Sequence, residues 1–322
     1  MKDQHMKKAL FISLALAGSF LLSVVHATII TENFTNNPAQ DGWRIFGNTN
    51  QFRWDSTNQN LAVAWDSSQP NSYFYHPLGT VLTTNDDFSL EFDLQVSDAE
   101  ATGLFELAVG FLNFQDATNA GFARGTGNDS PNIAEFNYFP DTGWGPTLSS
   151  TTTDTNSTFD FLEDFVGLDS GVTYHVVLTH TAGAAPVSGQ VFIDGQLYSS
   201  LPISYFSTNF TDFRLDTVAV SSYTATNDPW GDSLLAHGNV ANLVVTVPPP
   251  PVQNLVGSLT NNFWQVQFIS RSNWMYTLER TANCQAWTNV STATAGNGTN
   301  LILPDVNPPS SRAFYRVKAE RP

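Results

Sequence analysis

Short runs in which apolar and polar residues alternate recur along the chain, with turn-forming residues between them. In FSLEFDLQV, residues 88–96, every second side chain is apolar, which is the period of a strand with one buried face. In GQVFIDGQLYSS, Asp194 and Gly195 separate two alternating runs and predict a tight hairpin. Further predicted strands are NLAVAW, NSYFYHPL, FELAVGFLNF, NIAEFNYF, TYHVVLTHT, FRLDTVAVSSY and NVANLVVTV. Because no helical periodicity longer than a turn or two occurs after residue 27, the pattern predicts an all-β fold.

A proline run divides the chain. VPPPPV, residues 247–252, can neither continue a helix nor complete a sheet ladder, since proline has no backbone N–H. We therefore predict a large domain over residues 28–247, a linker at 248–251 and a small β-sandwich over 252–322.

Residues 1–27 have the pattern of a signal peptide. Lys2, Lys7 and Lys8 precede a long apolar run, and small residues end it at Ala27. An uncleaved membrane anchor is the alternative. The expected product is secreted, extracellular or at the cell surface, with no membrane span after cleavage.

Charge and cysteine content exclude several classes of function. The net charge is −16, and loss of three lysines and one aspartate with the signal peptide takes it to −18. Such a surface repels nucleic acid and anionic lipid. Cys284 is the only cysteine, which excludes an internal disulfide and any CxxC metal or redox site.

Seven stretches along residues 30–247 carry a resemblance to a known superfamily. They are ENF, FSLEFDLQVSD, GFLNFQDATNAGFARG, AEFNYFPDTGWG, YHVVLTHTAG, VFIDGQLY and HGNVANLVVTV. In this order they resemble the concanavalin A-like lectin/glucanase superfamily, in its laminin-G-like branch. The resemblance implies a jelly-roll β-sandwich of roughly 12 to 14 strands. It leaves the function open, because that superfamily contains lectins, hydrolases, lyases and adhesive modules.

The tail carries a second resemblance. WQVQFIS, WMYTLERTANCQAWTNVS and AFYRVKAERP resemble a fibronectin-like β-sandwich module found at the C-terminus of bacterial secreted proteins. This implies a spacer or attachment role.

One strand carries an incomplete set of glycosidase carboxylates. Related glycosidases have an E-x-D-x-E pattern, in which alternation places three acids on one face. Here the positions are Glu91, Asp93 and Gln95, and an amide cannot transfer the catalytic proton. Unless Glu135 from another strand supplies the missing acid, the chain is not a retaining hydrolase. Whether it is an enzyme is uncertain, and the pattern favours a non-catalytic protein.

No motif implies a cofactor, and calcium is the candidate ion. Oxygen-bearing side chains cluster in two loops, although turns that cap their own backbone explain the same pattern. The loop residues are Asn113, Asp116, Asn119, Asp228 and Asp232. By resemblance to jelly-roll sugar-binding modules, Glu32 fits an early calcium ligand, but Ala241 stands where the last strand would offer an acid.

The sequence favours a glycan-binding site. Trp144 and Trp230 lie in glycine-containing loops and predict platforms for sugar rings, although most tryptophans of a sandwich are core residues. Arg124, Glu135 and Asn137 are the predicted polar contacts, and Glu135 and Asn137 share one strand face. The expected partner is a neutral or weakly charged polysaccharide such as a glucan or galactan. Alternatives are a structural or adhesive protein without a sugar site, and a concanavalin A-like glycoside hydrolase with a degenerate carboxylate row.

Overall fold

The computed structural model describes residues 27–124, 130–140, 145–153, 166–183, 187–201, 212–226, 228, 230–260, 263–310 and 312–321. Trp144 and most of the predicted signal peptide, residues 1–26, lie outside these ranges. No helix in the described part of the chain has the length and apolar character needed to cross a bilayer.

The larger predicted domain contains, in its described part, fourteen strands, one short α-helix and two 3-10 helices, Pro38–Asp41 and Thr49–Gln51. The strands are β1 Thr28–Glu32, β2 Arg44–Phe46, β3 Phe52–Asp55, β4 Asn60–Asp66, β5 Ser72–Leu82, β6 Phe88–Thr102, β7 Leu107–Leu112, β8 Ile133–Tyr138, β9 Thr147–Thr151, β10 Thr173–His180, β11 Ser188–Ile193, β12 Gln196–Leu201, β13 Leu215–Ser222 and β14 Ser233–Val247. The helix, α1, is Phe114–Ala117.

These strands form two antiparallel sheets packed face to face. The eight-stranded sheet has the order β12-β11-β10-β6-β14-β4-β3, with β1 paired to β14, and the six-stranded sheet has the order β2-β5-β13-β7-β8-β9. Aromatic pairs join the sheets: Phe92 of β6 meets Phe136 of β8 at 5.8 Å between ring centroids, and Phe88 meets Phe111 at 5.1 Å. The predicted all-β sandwich is therefore confirmed.

The alternation in the sequence predicts the local structure well. Apolar positions from Phe88 to Val96 of β6 are buried, and the polar positions between them are partly exposed. Asp194 and Gly195 have φ of 49° and 73° and join β11 to β12 as the predicted hairpin. The run FELAVGFLNF gives a shorter strand than predicted, because the Asn113 side chain accepts backbone N–H groups and begins α1.

The tail forms two smaller sheets. Its strands are β15 Val252–Thr260, β16 Phe263–Ser270, β17 Met275–Thr281, β18 Thr288–Asn289, β19 Thr294–Ala295, β20 Asn300–Asp305 and β21 Phe314–Glu320. β15, β16 and β20 form one sheet, and β17 pairs with β18, β19 and β21 in the other. A separate apolar core lies between them, which includes Phe268, Trp274 and Tyr276.

One buried carboxylate joins the tail to the sandwich. Asp86, in the turn between β5 and β6, accepts hydrogen bonds from Arg271 at 2.8 Å and Arg321 at 2.7 Å. Arg271 also donates to the Thr80 hydroxyl at 3.1 Å and to the carbonyl of Pro249 in the proline run. The tail is thus held against the sandwich by side-chain contacts as well as by the chain.

Candidate functional site

Glu135 and Asn137 of β8 point away from the core of the sandwich. Phe136, between them, packs against Phe92 of the opposite sheet, so its neighbours must face outward. The prediction that Glu135 and Asn137 share one face is confirmed by this alternation. Their surroundings on the outer face of the six-stranded sheet define the candidate site.

Two rows of side chains cross this outer face, as the strand register shows. In each row an aromatic side chain stands at the β2 and β5 end, small residues occupy the two central strands, and polar residues occupy β8 and β9. The first row is Arg44, Tyr75, Ala219, Gly110, Glu135 and Ser149. The second row is Phe46, Tyr73, Ser221, Ala108, Asn137 and Thr147. The small central residues leave room for side chains that come from loops.

A hydrogen-bonded group fills the polar end, and we call it the Arg124 cluster: Arg124, Glu135, Asn137, Ser149 and Tyr223. Arg124 Nε and Nη2 donate to Glu135 Oε1 at 3.1 and 2.8 Å. The Tyr223 hydroxyl donates to Glu135 Oε2 at 2.7 Å, and Asn137 Nδ2 donates to Oε1 at 3.1 Å. Ser149 accepts from Arg124 at 3.1 Å and donates to Asn137. The structure thus brings together all three residues predicted as polar contacts.

Burial changes what these three residues can do. Arg124, Glu135 and Asn137 are each 1% exposed or less, so their polar atoms contact one another rather than solvent. Such burial argues against direct contact between these three side chains and a ligand. A second carboxylate, Glu106, lies 3.6 Å from Arg124 Nη2 and adds to the electrostatic attraction. Burial, and then the charge of Glu135, raises the pKa of Tyr223, which therefore stays a neutral hydrogen-bond donor.

Trp230 lies on the loop between β13 and β14, which begins at Tyr223. Its side chain is 72% exposed, so the alternative that it is a core residue is wrong. Asp228 Oδ2 accepts the backbone N–H groups of Trp230 and Asp232, both at 2.9 Å, and this turn fixes the backbone below the indole. The second predicted platform, Trp144, lies outside the described residues.

Sequence reasoning missed the contribution of Tyr223 and Ser149. Tyr223 is the last residue of the predicted strand FRLDTVAVSSY and directly follows β13, but its partner Glu135 is 88 positions away. No local sequence pattern predicts this contact, because it depends on the order of the strands in the sheet. The Tyr73 ring packs edge-on against Tyr223 with 6.1 Å between centroids.

The incomplete carboxylate row lies on the other side of the molecule. Because Phe92 and Leu94 face the core, Glu91, Asp93 and Gln95 face outward from the eight-stranded sheet. The two sheets are about 10 Å apart, so Glu135 cannot supply the acid that this row lacks. The geometry therefore excludes Glu135 as the third acid of this row.

The row residues have their own partners. Asp93 Oδ1 lies 2.8 Å from His175 Nδ1, and Gln95 Nε2 donates to the Gly171 carbonyl at 2.7 Å. A cavity of about 400 Å³ beside them is lined by polar side chains, including Asn60, Asp93 and Asn239.

The loop oxygens considered for calcium make local hydrogen bonds. Asn113, Asn119 and Asp228 accept backbone N–H groups two to four residues further along, as capping turns do. Asp116 accepts from a side-chain amide, and Asp232 accepts a backbone N–H of the loop between β6 and β7. Across the residues with described positions, no group of three or more His, Cys, Asp or Glu side chains is placed to hold a metal ion.

Glu32, the candidate calcium ligand near the start of the predicted mature chain, also makes a local hydrogen bond. Its Oε1 accepts the Phe34 N–H at 2.6 Å, and burial raises the pKa of this carboxyl. Ala241, on β14, offers only its backbone.

No family model and no curated protein matches the chain. Among solved structures, alginate lyase Aly36B is 14% identical, with 67% of this chain and 96% of that chain covered and a TM-score of 0.40. The Emp47p carbohydrate recognition domain is 9% identical, with coverage of 70% and 99% and a TM-score of 0.41. Basic winged bean lectin, solved with Tn-antigen, is 13% identical, with coverage of 69% and 100% and a TM-score of 0.40. At such low sequence identities and TM-scores, the ligand of this chain has to be inferred from its own residues.

Proposed function

We propose that the larger sandwich is a secreted, non-catalytic carbohydrate-binding module, with Trp230 as a platform for a sugar ring. The observation that carries the proposal is the exposure of this indole above a backbone fixed by Asp228. Single exposed apolar side chains are common on protein surfaces, but this one is a large flat ring that is open to a ligand. Sugars present C–H faces that stack on flat aromatic rings.

The Arg124 cluster supports this platform from below. Tyr223 is bonded to Glu135 and begins the loop that carries Trp230. Thr224 N–H donates to the Asn71 side chain at 2.8 Å, and Ala225 N–H donates to the Ser67 carbonyl at 2.8 Å. In this proposal Arg124, Glu135 and Asn137 position the loop and do not contact the glycan. Trp144 keeps its proposed role as a second platform.

Charge favours a neutral glycan. The expected mature chain has a net charge of −18, which opposes the approach of strongly acidic polysaccharides over distances of about one Debye length. Neutral or weakly charged glucans and galactans are therefore the proposed ligands.

A glycan-cleaving site is the second candidate, and one observation favours it. His175, Asp93 and Glu91 form a row on the eight-stranded sheet, with 2.8 Å between His175 Nδ1 and Asp93 and 3.7 Å between Nε2 and Glu91. A histidine oriented by a carboxylate is a common general base. Release of new reducing or unsaturated chain ends from any polysaccharide would support this function against the first.

The proposed platform is tested by Trp230→Ala. If stacking carries the affinity, the variant binds a soluble glucan or galactan about 1–3 kcal/mol more weakly in isothermal titration calorimetry, by analogy with bases stacked on aromatic rings. Its melting temperature should stay the same, because the exposed Trp230 side chain packs little against the core.

Phe314→Ala is the matched control, since Phe314 is an aromatic residue of the tail that is also exposed. It should bind as the unsubstituted protein does. Equal affinity of Trp230→Ala and the unsubstituted protein would contradict the platform.

A further inference from the structure

A cavity of about 430 Å³ lies where the tail meets the outer face of the six-stranded sheet. It stands at the aromatic end of the first row, whose other end is the Arg124 cluster. We call it the junction cavity, and its relevant lining residues are Arg44, Tyr75, Phe114 and Asp216 of the sandwich and Pro251 and Trp274 of the tail. Its volume lies in the range of natural small-ligand sites.

Aromatic rings form the apolar walls. Tyr75 and Phe114 stack with 4.4 Å between centroids, and both are half-buried. Trp274 is held by two guanidinium groups: Arg271 lies 5.9 Å and Arg321 lies 5.2 Å from its ring centroid. Since both arginines are bonded to Asp86, the tail's wall is fixed relative to the sandwich.

The cavity also offers polar groups of both kinds. Trp274 is 4% exposed, and within the described part of the chain its indole N–H has no hydrogen-bond acceptor; because this nitrogen is itself buried, a ligand in the cavity reaches it only when the indole tilts toward the cavity. Such a buried donor costs about 1–3 kcal/mol when it is left without a partner. Asp216 supplies a carboxylate, one oxygen of which accepts the Phe114 N–H at 2.9 Å, and Arg44 supplies an exposed guanidinium.

We propose that the junction cavity is a second subsite for one neutral sugar unit, built jointly by the sandwich and the tail. Flat rings suit the C–H faces of a sugar, while an indole N–H, a guanidinium and a carboxylate suit its hydroxyls. The charges of Arg44 and Asp216 balance each other, and this favours an uncharged ligand over an acidic one. This inference rests on the proposed function, because it assigns the same ligand class to a second place.

The register links this subsite to the rest of the face. Tyr75 and Glu135 belong to one row and are three strands apart, which is about 14 Å at the usual strand spacing. Arg124 and Tyr223 fill the Glu135 end of this row, so a glycan unit can occupy only the Tyr75 end. The tail is then part of the binding surface, whereas the sequence alone implies only a spacer.

Trp274→Phe tests the subsite, because it keeps an aromatic side chain, although a smaller one, and removes the indole N–H. With hexasaccharides of glucose and of galactose as probes, we expect affinity to fall about threefold to tenfold, which corresponds to one lost hydrogen bond. The melting temperature should change little, because removal of the buried unpartnered donor offsets part of the packing that is lost with the larger indole. If Trp274 only packs in the core of the tail, the substitution should change stability without changing affinity.

Trp264→Phe is the matched control. Trp264 lies in the same tail, and among the described residues its indole N–H also has no acceptor, but it stacks on Tyr315 and does not line the junction cavity. It should bind both hexasaccharides as the unsubstituted protein does. Equal loss in the two variants, or no loss in Trp274→Phe, would overturn the inference.

Arg44→Ala provides a second variant with no risk to folding, because Arg44 is exposed at the end of the row. Arg53→Ala, an exposed arginine of the eight-stranded sheet, is its control. Of these two variants, we expect only Arg44→Ala to bind the hexasaccharides more weakly than the unsubstituted protein.

The two proposals fail in different ways. Loss of binding in Trp230→Ala with no change in Trp274→Phe and Arg44→Ala would overturn the junction subsite and leave the platform. The reverse pattern would overturn the platform and leave the subsite. Absence of hexasaccharide binding by the unsubstituted protein would overturn both.

Discussion

Arg124 and Glu135 form a salt bridge at 2.8 Å inside a layer shielded from water. A buried ion pair stabilises little relative to an apolar pair, but removal of one partner leaves an uncompensated charge in a poorly solvated place. Asn137 and Tyr223 also donate to this carboxylate, and Ser149 accepts from Arg124, so the cluster depends on all of its members.

Glu135→Gln tests this dependence. The amide keeps the shape of the side chain and removes its charge, so we expect a loss of about 3–5 kcal/mol in the free energy of unfolding, measured by chemical denaturation. Glu100→Gln, at an exposed position of β6, should stay within about 0.5 kcal/mol of the unsubstituted protein. Equal stability of the two variants would show that the pair is not buried.

His180 predicts a pH dependence. It is buried against Phe88, and burial lowers the pKa of its imidazole below the usual 6.5, although three nearby carboxylates, Asp86, Asp87 and Asp212, act in the opposite direction. Because the folded-state pKa lies below the unfolded one, protonation favours unfolding. Its contribution is therefore fully present above pH 6.5 and is lost as pH falls toward the folded-state pKa.

His180→Asn should reduce this effect, because an amide can still donate to the Asp86 carbonyl, which His180 Nδ1 contacts at 2.7 Å, and it does not titrate. Denaturation at pH 7.5 and 5.5 measures the difference. A pH dependence identical to that of the unsubstituted protein would rule out this role of His180.

At the scale of elements, β7 and β8 approach closely at Gly110. A Cβ atom at this position would lie 2.4 Å from the Glu135 Cα, so any side chain would push the two strands apart. The absence of a side chain thus lets the first row keep its register beside the Arg124 cluster.

Gly110→Ala should lower the free energy of unfolding by about 1–3 kcal/mol, as overpacking does. Gly167→Ala is the control, because the nearest atom to its added Cβ is the Tyr138 hydroxyl at 4.0 Å. Equal denaturation midpoints for the two variants would contradict the close approach.

The elements were predictable from sequence to the extent that they depend on local pattern. Residues 88–96 alternate as β6 requires, and Asp194-Gly195 has the φ angles of the predicted hairpin. Sheet order is not local. The sequence therefore could not show that Glu135 and Asp93 face opposite sides of the sandwich, or that Tyr223 reaches Glu135.

Burial in the candidate site was the least predictable property. Arg124 and Trp230 have the usual preferences of a surface charge and a core aromatic, and the structure reverses both. The reason is that the small residues at the centre of the six-stranded sheet leave space, which Tyr223 and Arg124 fill, whereas the loop after Tyr223 turns outward at Asp228.

At the scale of the whole molecule, Asp86 makes the tail and the sandwich depend on each other. The proline run between β14 and β15 remains the predicted domain boundary, and cleavage within residues 248–252 should give two folded pieces. The bonds from Arg271 and Arg321 to Asp86 lead us to expect that these pieces stay associated.

Asp86→Asn tests the association. We expect the cleaved unsubstituted protein to elute as one species in size-exclusion chromatography and the cleaved variant to elute as two, because the amide leaves both guanidinium groups without a charged partner. Asp87→Asn, at the neighbouring exposed carboxylate, should behave as the unsubstituted protein. Aggregation of fragment 28–247 alone would show that the boundary is wrong.

We propose that this sandwich binds a neutral polysaccharide through its exposed tryptophan, Trp230. The most direct measurement is a glycan array on which the purified protein and Trp230→Ala are compared side by side. We expect the protein to bind neutral glucans or galactans and the variant to lose this signal. Binding confined to acidic glycans, or an unchanged signal in the variant, would contradict the proposal.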